Sequence, residues 1–177
     1  MGTDGASVML GSKSGVVQRM RELTSRPFLY AIHCSAHRLE LAYKNALKRT
    51  QSKLIEKCEA LLLNLYLFYK YSPLNRANLK LSFESLGLKM MVPTRVGGTR
   101  WLPHAQKAMK HFLHGYKAIV QHLEQIQNPG DPAYRKDSAA KAKNFLKLMN
   151  DKAVPYWIRV HMDTVSCLSK TSEAIQE

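Results

Sequence analysis

The hydrophobic period of the sequence changes between residues 28 and 47, and this change limits the folds that the chain can adopt. An apolar run, Phe28–Ile32, follows Pro27 and has the length and composition of a buried strand. Beyond it, apolar side chains recur at the spacing of one helix face, at Ala36, Leu39, Tyr43, Ala46 and Leu47. The motif His33-Cys34-x-x-His37 lies at the junction. Because polar residues at the carboxyl ends of strands in α/β sheets face the ligand-binding crevice, this junction is the first candidate site.

The segment before the junction predicts a loop and one helix. Residues 3–15 are rich in small side chains, as loops are. The helix that follows would be capped by Ser12 or Ser14 and would end at Arg26-Pro27. Its inward face would carry four apolar side chains, Val16, Val17, Met20 and Leu23.

The remainder of the chain predicts helices. An apolar stripe marks one helix between Ile55 and Tyr69, and Ser72-Pro73 marks the start of the next. That helix would end at Gly87 and would bury three side chains, Leu74, Ala77 and Leu81. Residues 88–92 predict an extended piece, residues 93–101 a loop, and residues 103–127 a further helix. After a break at residues 128–132, two more helices follow, the first over about residues 134–149.

These patterns predict a mainly α fold with one or two strands near the start. Within the chain, residues 88–92 are the only stretch that offers the strand at residues 28–32 a partner. The break at residues 128–132 predicts a boundary between subdomains.

Charge indicates the class of partner. The chain has 177 residues, of which 45% are hydrophobic, and a formal net charge of +14. Residues 1–50 carry 8 basic and 3 acidic residues, residues 51–127 carry 11 and 4, and residues 128–177 carry 8 and 6. This excess favours a polyanion, with nucleic acid preferred over an acidic membrane surface. The alternative is a generally solvated basic surface.

The cysteines and the hydropathy exclude several classes. Three cysteines without framework spacing indicate a reducing compartment and no disulfide scaffold. No apolar run is long enough for a membrane span. Zinc at Cys34 and His37 is disfavoured because no second pair of ligands exists. A Cys34 nucleophile is disfavoured because substrate-binding features are missing. The simplest interpretation has Cys34 packed inside and His37 hydrogen-bonded nearby.

Two further residue groups have both a functional and a structural interpretation. Asp4, in a small-residue loop before a helix, would bind a divalent cation such as Mg²⁺ or form a turn. Arg95, Arg100 and Trp101 surround two glycines, and the indole would stack on a base while the arginines contact phosphates. The alternative is that Trp101 anchors the following helix to the core.

The order of these motifs resembles the hAT (hobo/Activator/Tam3) transposase superfamily, most closely the transposon-derived vertebrate zinc-finger proteins. The resemblance covers most of residues 3–127. It rests on three motifs: Thr3-Asp4-Gly5-Ala6-Ser7-Val8-Met9 with Gly11 and Gly15, then Cys34-x-x-His37-Arg38-Leu39-x-Leu41-Ala42, then Thr99-Arg100-Trp101.

The resemblance implies an RNase H-like α/β core interrupted by an all-helical insertion. Residues 1–49 would be part of that core, residues 50–127 the insertion with the Thr-Arg-Trp loop, and residues 128–177 its continuation. Family members cleave DNA with two aspartates, a glutamate and two Mg²⁺ or Mn²⁺ ions. Asp4 matches the second aspartate, Cys34 and His37 would lie beside the active site, and Arg100 and Trp101 would contact DNA.

The chain also departs from the family pattern. The first aspartate would precede residue 1 and the glutamate would follow residue 177. With an incomplete carboxylate set, we expect a non-catalytic, nuclear, DNA-binding remnant that needs no cofactor and takes no small-molecule substrate. The alternative is a helical protein-interaction module, with a protein partner or self-association in place of DNA.

Overall fold

The computed structural model describes residues 2–97, 101–128 and 136–176. It is 74% helix, with eight helices and one two-stranded parallel sheet in the described residues, and this confirms the mainly α prediction. The elements in chain order are β1 (Gly2–Thr3), α1 (Ser7–Leu10), α2 (Val16–Thr24), β2 (Ile32–His33), α3 (Ser35–Thr50), α4 (Lys53–Lys70), α5 (Pro73–Ser85), α6 (Trp101–Ile126), α7 (Lys136–Met149) and α8 (Ala153–Ala174). None of the described helices combines the length and the apolar character needed to cross a bilayer.

The chain divides into two compact units. Unit 1 comprises Met1–Thr50 and Lys170–Glu177, and unit 2 comprises Gln51–Ser169. The buried hydrophobic side chains are distributed unevenly: in the described part of unit 1 they are Val17 and Ala36, and the others belong to unit 2. Unit 2 therefore holds nearly all of the apolar core.

Unit 1 contains a parallel strand pair that the sequence patterns did not predict. Gly2 is in register with Ile32 and Thr3 with His33, and the Cys34 amide donates to the Thr3 carbonyl at 2.8 Å. The partner of β2 thus lies in a stretch predicted as a loop, and not in residues 88–92, the stretch that the sequence offered as a partner. The predicted buried strand is also wrong in extent and in burial. Strand β2 has two residues, and three large side chains of the predicted strand are 66–77% exposed, namely Phe28, Tyr30 and Ile32.

Helix α2 lies where the sequence predicts it, but its cap and its buried face differ. Gly15, rather than Ser12 or Ser14, is the N-cap residue. Val17 is buried, whereas Leu23 is 85% exposed and Met20 37%. In unit 1 few elements are present to cover an apolar helix face, so a helical pattern alone overestimates burial.

Unit 2 is built around α6, which packs against α5 and α7. The predicted stripe of α4 is confirmed, because all five of its members are buried: Ile55, Cys58, Leu62, Leu65 and Tyr69. The Ser72 cap of α5 is also confirmed, since its Oγ accepts from the Asn75 amide at 3.2 Å. At the other end Gly87, with φ +64°, follows the helix as predicted, and the Leu88 amide bonds the Phe83 carbonyl at 3.0 Å.

The buried face predicted for α5 is wrong. Leu74 is 45% exposed and Leu81 61%, whereas the buried hydrophobic residues of this helix are Leu79 and Phe83. The reason is a close approach to α6, where a Cβ added at Gly115 would lie 2.7 Å from Phe83 Cζ. Gly115 leaves the space that the Phe83 ring occupies, and this contact sets the rotation of α5.

A buried hydrogen bond between α4 and α6 has a consequence for acid stability. Tyr69 Oη and His122 Nδ1 are 3.1 Å apart, and both residues are fully buried. Burial lowers the pKa of His122 to about 4, and the same effect acts on the pKa of His161. The neutral imidazole is therefore the form that fits the folded core.

We expect the free energy of unfolding to fall as pH decreases from about 6.5 to about 4, because the unfolded chain takes up protons that the folded core excludes. His122 should contribute at most about 3 kcal/mol of this loss. Urea unfolding at about pH 7.5 and about pH 4.5 measures it. His122→Gln keeps a hydrogen-bonding group beside Tyr69 without titrating, and should show a smaller loss. An equal pH dependence in parent and variant would contradict the assignment.

Candidate nucleic-acid interface

The carboxyl edge of the small sheet brings together Asp4 and Cys34. Asp4 directly follows β1 and Cys34 directly follows β2, so both residues leave the parallel pair at the same edge. His37 lies in the first turn of α3, with its ring centroid 5.7 Å from that of His33. Three residues singled out from the sequence therefore belong to one small region of unit 1.

The contacts at this edge are those of a turn. Asp4 Oδ1 accepts a hydrogen bond from the Ala6 amide at 3.0 Å, which closes an Asx turn before α1. Among the described residues, no group of three His, Cys, Asp or Glu side chains could hold a metal ion. The turn interpretation accounts for the contacts of Asp4, and its metal-binding role stays a prediction.

Trp101 is buried at the start of α6. It is 7% exposed, and its ring centroid lies 6.1 Å from that of His161, in an edge-on arrangement. His161 in turn lies edge-on to Trp157, at 4.3 Å. This burial favours the core-anchor interpretation of Trp101, while stacking on a base stays a prediction. Arg95 is exposed, and Arg100 lies outside the described residues.

Residues 88–92 form neither helix nor strand, and two histidines of α6 bind their backbone. His111 Nδ1 donates to the Val92 carbonyl at 2.7 Å, and His114 Nε2 donates to the Lys89 carbonyl at 2.9 Å. The segment therefore runs antiparallel to the helix. Its attachment places Lys89 beside the exposed side of α6, and Arg95 follows Val92 by three residues.

The exposed side of α6 carries a row of lysines. Lys107, Lys110 and Lys117 are all exposed, and their spacing of three and seven residues keeps them on one side of the helix. We call Lys89, Lys107, Lys110 and Lys117 the α6 basic face. Lysines arranged in this way contact phosphate groups along a nucleic-acid backbone.

No acidic residue interrupts this part of the sequence. Between Glu84 and Glu124 there is neither an aspartate nor a glutamate. The ion pairs of the described chain lie elsewhere, at Lys80–Glu84, Lys141–Asp137 and Arg159–Asp163. The lysines of the α6 basic face thus have no acidic neighbour in this stretch of sequence, and they take part in none of these three ion pairs. Charge totals over long segments miss this feature, although the acid-free interval is visible in the sequence.

No protein-family model matches the chain, and no solved structure matches it significantly.

Proposed function

We propose that this chain binds nucleic acid through the α6 basic face. The observation that carries the proposal is the row of exposed lysines on one side of α6, in a stretch of sequence without acidic residues. The hydrogen bond from His114 to the Lys89 carbonyl places the backbone of this fourth lysine beside α6. Binding would be led by phosphate contacts, which provide affinity without requiring a particular base sequence.

As part of the same proposal, the chain is a non-catalytic remnant of a hAT transposase that acts on DNA in the nucleus. Residues 1–49 would be part of an RNase H-like core, and residues 50–127 and 128–177 its helical insertion. Two observations support this origin: the order of the three motifs, and the position of Asp4 and Cys34 at the carboxyl ends of two parallel strands.

The experiment is a salt titration of binding to a short DNA duplex, followed by fluorescence anisotropy. We expect log Kd to rise linearly with log salt concentration, with a slope of about 3–4 if each of the four lysines of the α6 basic face neutralises one phosphate. A slope near zero, or no binding at low salt, would contradict the proposal. Measurement at several protein concentrations would exclude aggregation as the source of the signal.

A second candidate function is a protein-interaction module. It is favoured by the exposed large side chains of unit 1, since Phe28, Tyr30 and Ile32 lie close together in the sequence and are 68%, 77% and 66% exposed. Such side chains bind an apolar partner surface or a second copy of the chain. The same titration distinguishes the two functions, because apolar docking does not weaken as salt rises.

We further expect no magnesium- or manganese-dependent nicking or joining of DNA by this chain. Two-metal chemistry requires several converging carboxylates, and Asp4 is the single candidate. Incubation of supercoiled plasmid with purified protein and either metal measures the activity. Nicking that is lost in Asp4→Ala, but retained in a control such as Asp163→Ala on α8, would show that this expectation is wrong.

A further inference from the structure

Unit 2 contains a groove that neither the motifs nor the proposed basic interface uses. It lies between α4, the start of α5 and α7, and its volume is about 850 Å³. Three aromatic side chains line it, at Phe68, Tyr71 and Phe145. Phe68 and Phe145 meet edge to face, with their centroids 5.4 Å apart, whereas Tyr71 is 73% exposed. The groove thus offers one fixed aromatic pair and one accessible ring.

Asn75 gives the groove a polar group without a protein partner. The residue is 3% exposed and lines the groove. Its backbone amide bonds Ser72 Oγ, but no described residue hydrogen-bonds its side-chain amide. Because Asn75 lines the groove, the donor and the acceptor of this amide are placed to bond a molecule there. A buried amide in this state is satisfied by water or by a ligand.

The chemistry around Asn75 suits a planar ligand with a hydrogen-bonding edge. Asn64 and Asn144 add two further amides to the lining. The ammonium group of Lys70 lies 5.1 Å from the centroid of the Tyr71 ring, so a positive charge is close to the accessible aromatic face. Aromatic rings stack on nucleobases, and an asparagine amide pairs with the N6 and N7 positions of adenine. Lys141, which also lines the groove, is already paired with Asp137.

We propose that this groove binds an unpaired adenine base of a single-stranded nucleic acid, with Asn75 reading the base edge and Tyr71 stacking on its face. The inference rests on the proposed nucleic-acid binding and adds a base-recognition site to it. The α6 basic face would bind the backbone of any nucleic acid, whereas the groove would favour single strands that contain adenine.

The test measures the affinity for three labelled nucleic acids: oligodeoxyadenylate, oligothymidylate and a duplex. The single strands have about 12 nucleotides, a length within the range of single-strand binding sites. We expect Tyr71→Ala to weaken binding of oligodeoxyadenylate about 5- to 10-fold, without changing duplex binding or its salt slope. Tyr156→Ala is the matched control, because Tyr156 is also 73% exposed and belongs to unit 2. It should bind both nucleic acids as the parent does.

A second variant changes the hydrogen-bonding groups of the base-reading residue, and duplex binding measured beside it reports whether the protein stays folded. Asn75→Asp preserves the shape of the side chain and places a carboxylate in the first turn of α5, where it suits the helix dipole. It should reduce the preference for oligodeoxyadenylate over oligothymidylate. Equal losses on single strands and duplex, or no preference in the parent, would overturn the groove proposal while leaving the basic interface in place.

Failure of the proposed function has a different signature. If the parent binds no nucleic acid, the proposal of the basic interface is wrong. Binding at the groove is then tested with adenosine monophosphate alone. A shift of the Asn75 side-chain amide signal in NMR spectra at millimolar nucleotide, absent in Tyr71→Ala, would support the groove. No shift at that concentration would overturn it.

Discussion

Replacement of Trp101 by alanine is expected to lower the free energy of unfolding by about 3–5 kcal/mol, the usual cost of removing a large buried aromatic side chain. Trp101 is 7% exposed and begins the helix around which unit 2 is built. Its loss would leave a cavity beside His161. Thermal or urea unfolding measured by circular dichroism gives the change.

Tyr156→Ala is the control for this substitution, because it also removes an aromatic ring from unit 2 but at a position that is 73% exposed. It should change the free energy of unfolding by less than about 1 kcal/mol. A Trp101→Ala protein with unchanged stability and weakened binding to single-stranded or distorted DNA would contradict the core-anchor interpretation. That result would instead support stacking of the indole on a base.

The second large effect concerns the α6 basic face. Simultaneous replacement of Lys107, Lys110 and Lys117 by glutamine should weaken duplex binding roughly 10- to 100-fold at physiological ionic strength. If each lysine contacts one phosphate, the slope of log Kd against log salt should fall by about 2.7. Glutamine keeps helix propensity close to that of lysine, so α6 should remain folded.

The matched control replaces three exposed lysines on other helices, Lys53, Lys57 and Lys143, and gives the same change in net charge. It should retain most of the affinity and of the salt slope, because local contacts matter more than total charge at physiological ionic strength. Equal losses in the two triple variants would show that binding follows net charge alone. The α6 basic face would then lose its special role.

The long helices were predictable from the sequence, whereas the strand pair was not. Helices α4 and α6 carry sustained apolar periodicity, and each of them buries a continuous stripe. Strand β1 consists of Gly2 and Thr3, two residues without any alternation to detect. Its pairing with β2 depends on contacts between segments thirty residues apart, which no local pattern encodes. The prediction of the buried face of α5 was wrong for a similar reason, because the rotation of this helix depends on the space beside Gly115 in a different helix.

The candidate interface was predictable only in part. The sequence indicated Arg95 as a phosphate contact, and the structure places this residue on the surface. The lysine spacing on α6 is visible in the sequence, but the attachment of residues 88–92 is not, because imidazole side chains bond backbone carbonyls there. A hydrogen bond to a carbonyl depends on no particular residue type in the partner, so its formation leaves no sequence signature.

The uneven distribution of the apolar core has a consequence for how the chain opens. With Val17 and Ala36 as its buried hydrophobic residues, the described part of unit 1 gains little from burial. Ordering each backbone residue nevertheless costs about 1–2 kcal/mol. Amide hydrogens of β1, α2 and β2 should therefore exchange with solvent through a local opening, while those of α4 and α6 exchange only when unit 2 unfolds. The lysines of α6 belong to the slowly exchanging part. The first fifty residues can therefore unfold and refold locally while the lysine row on α6 stays intact.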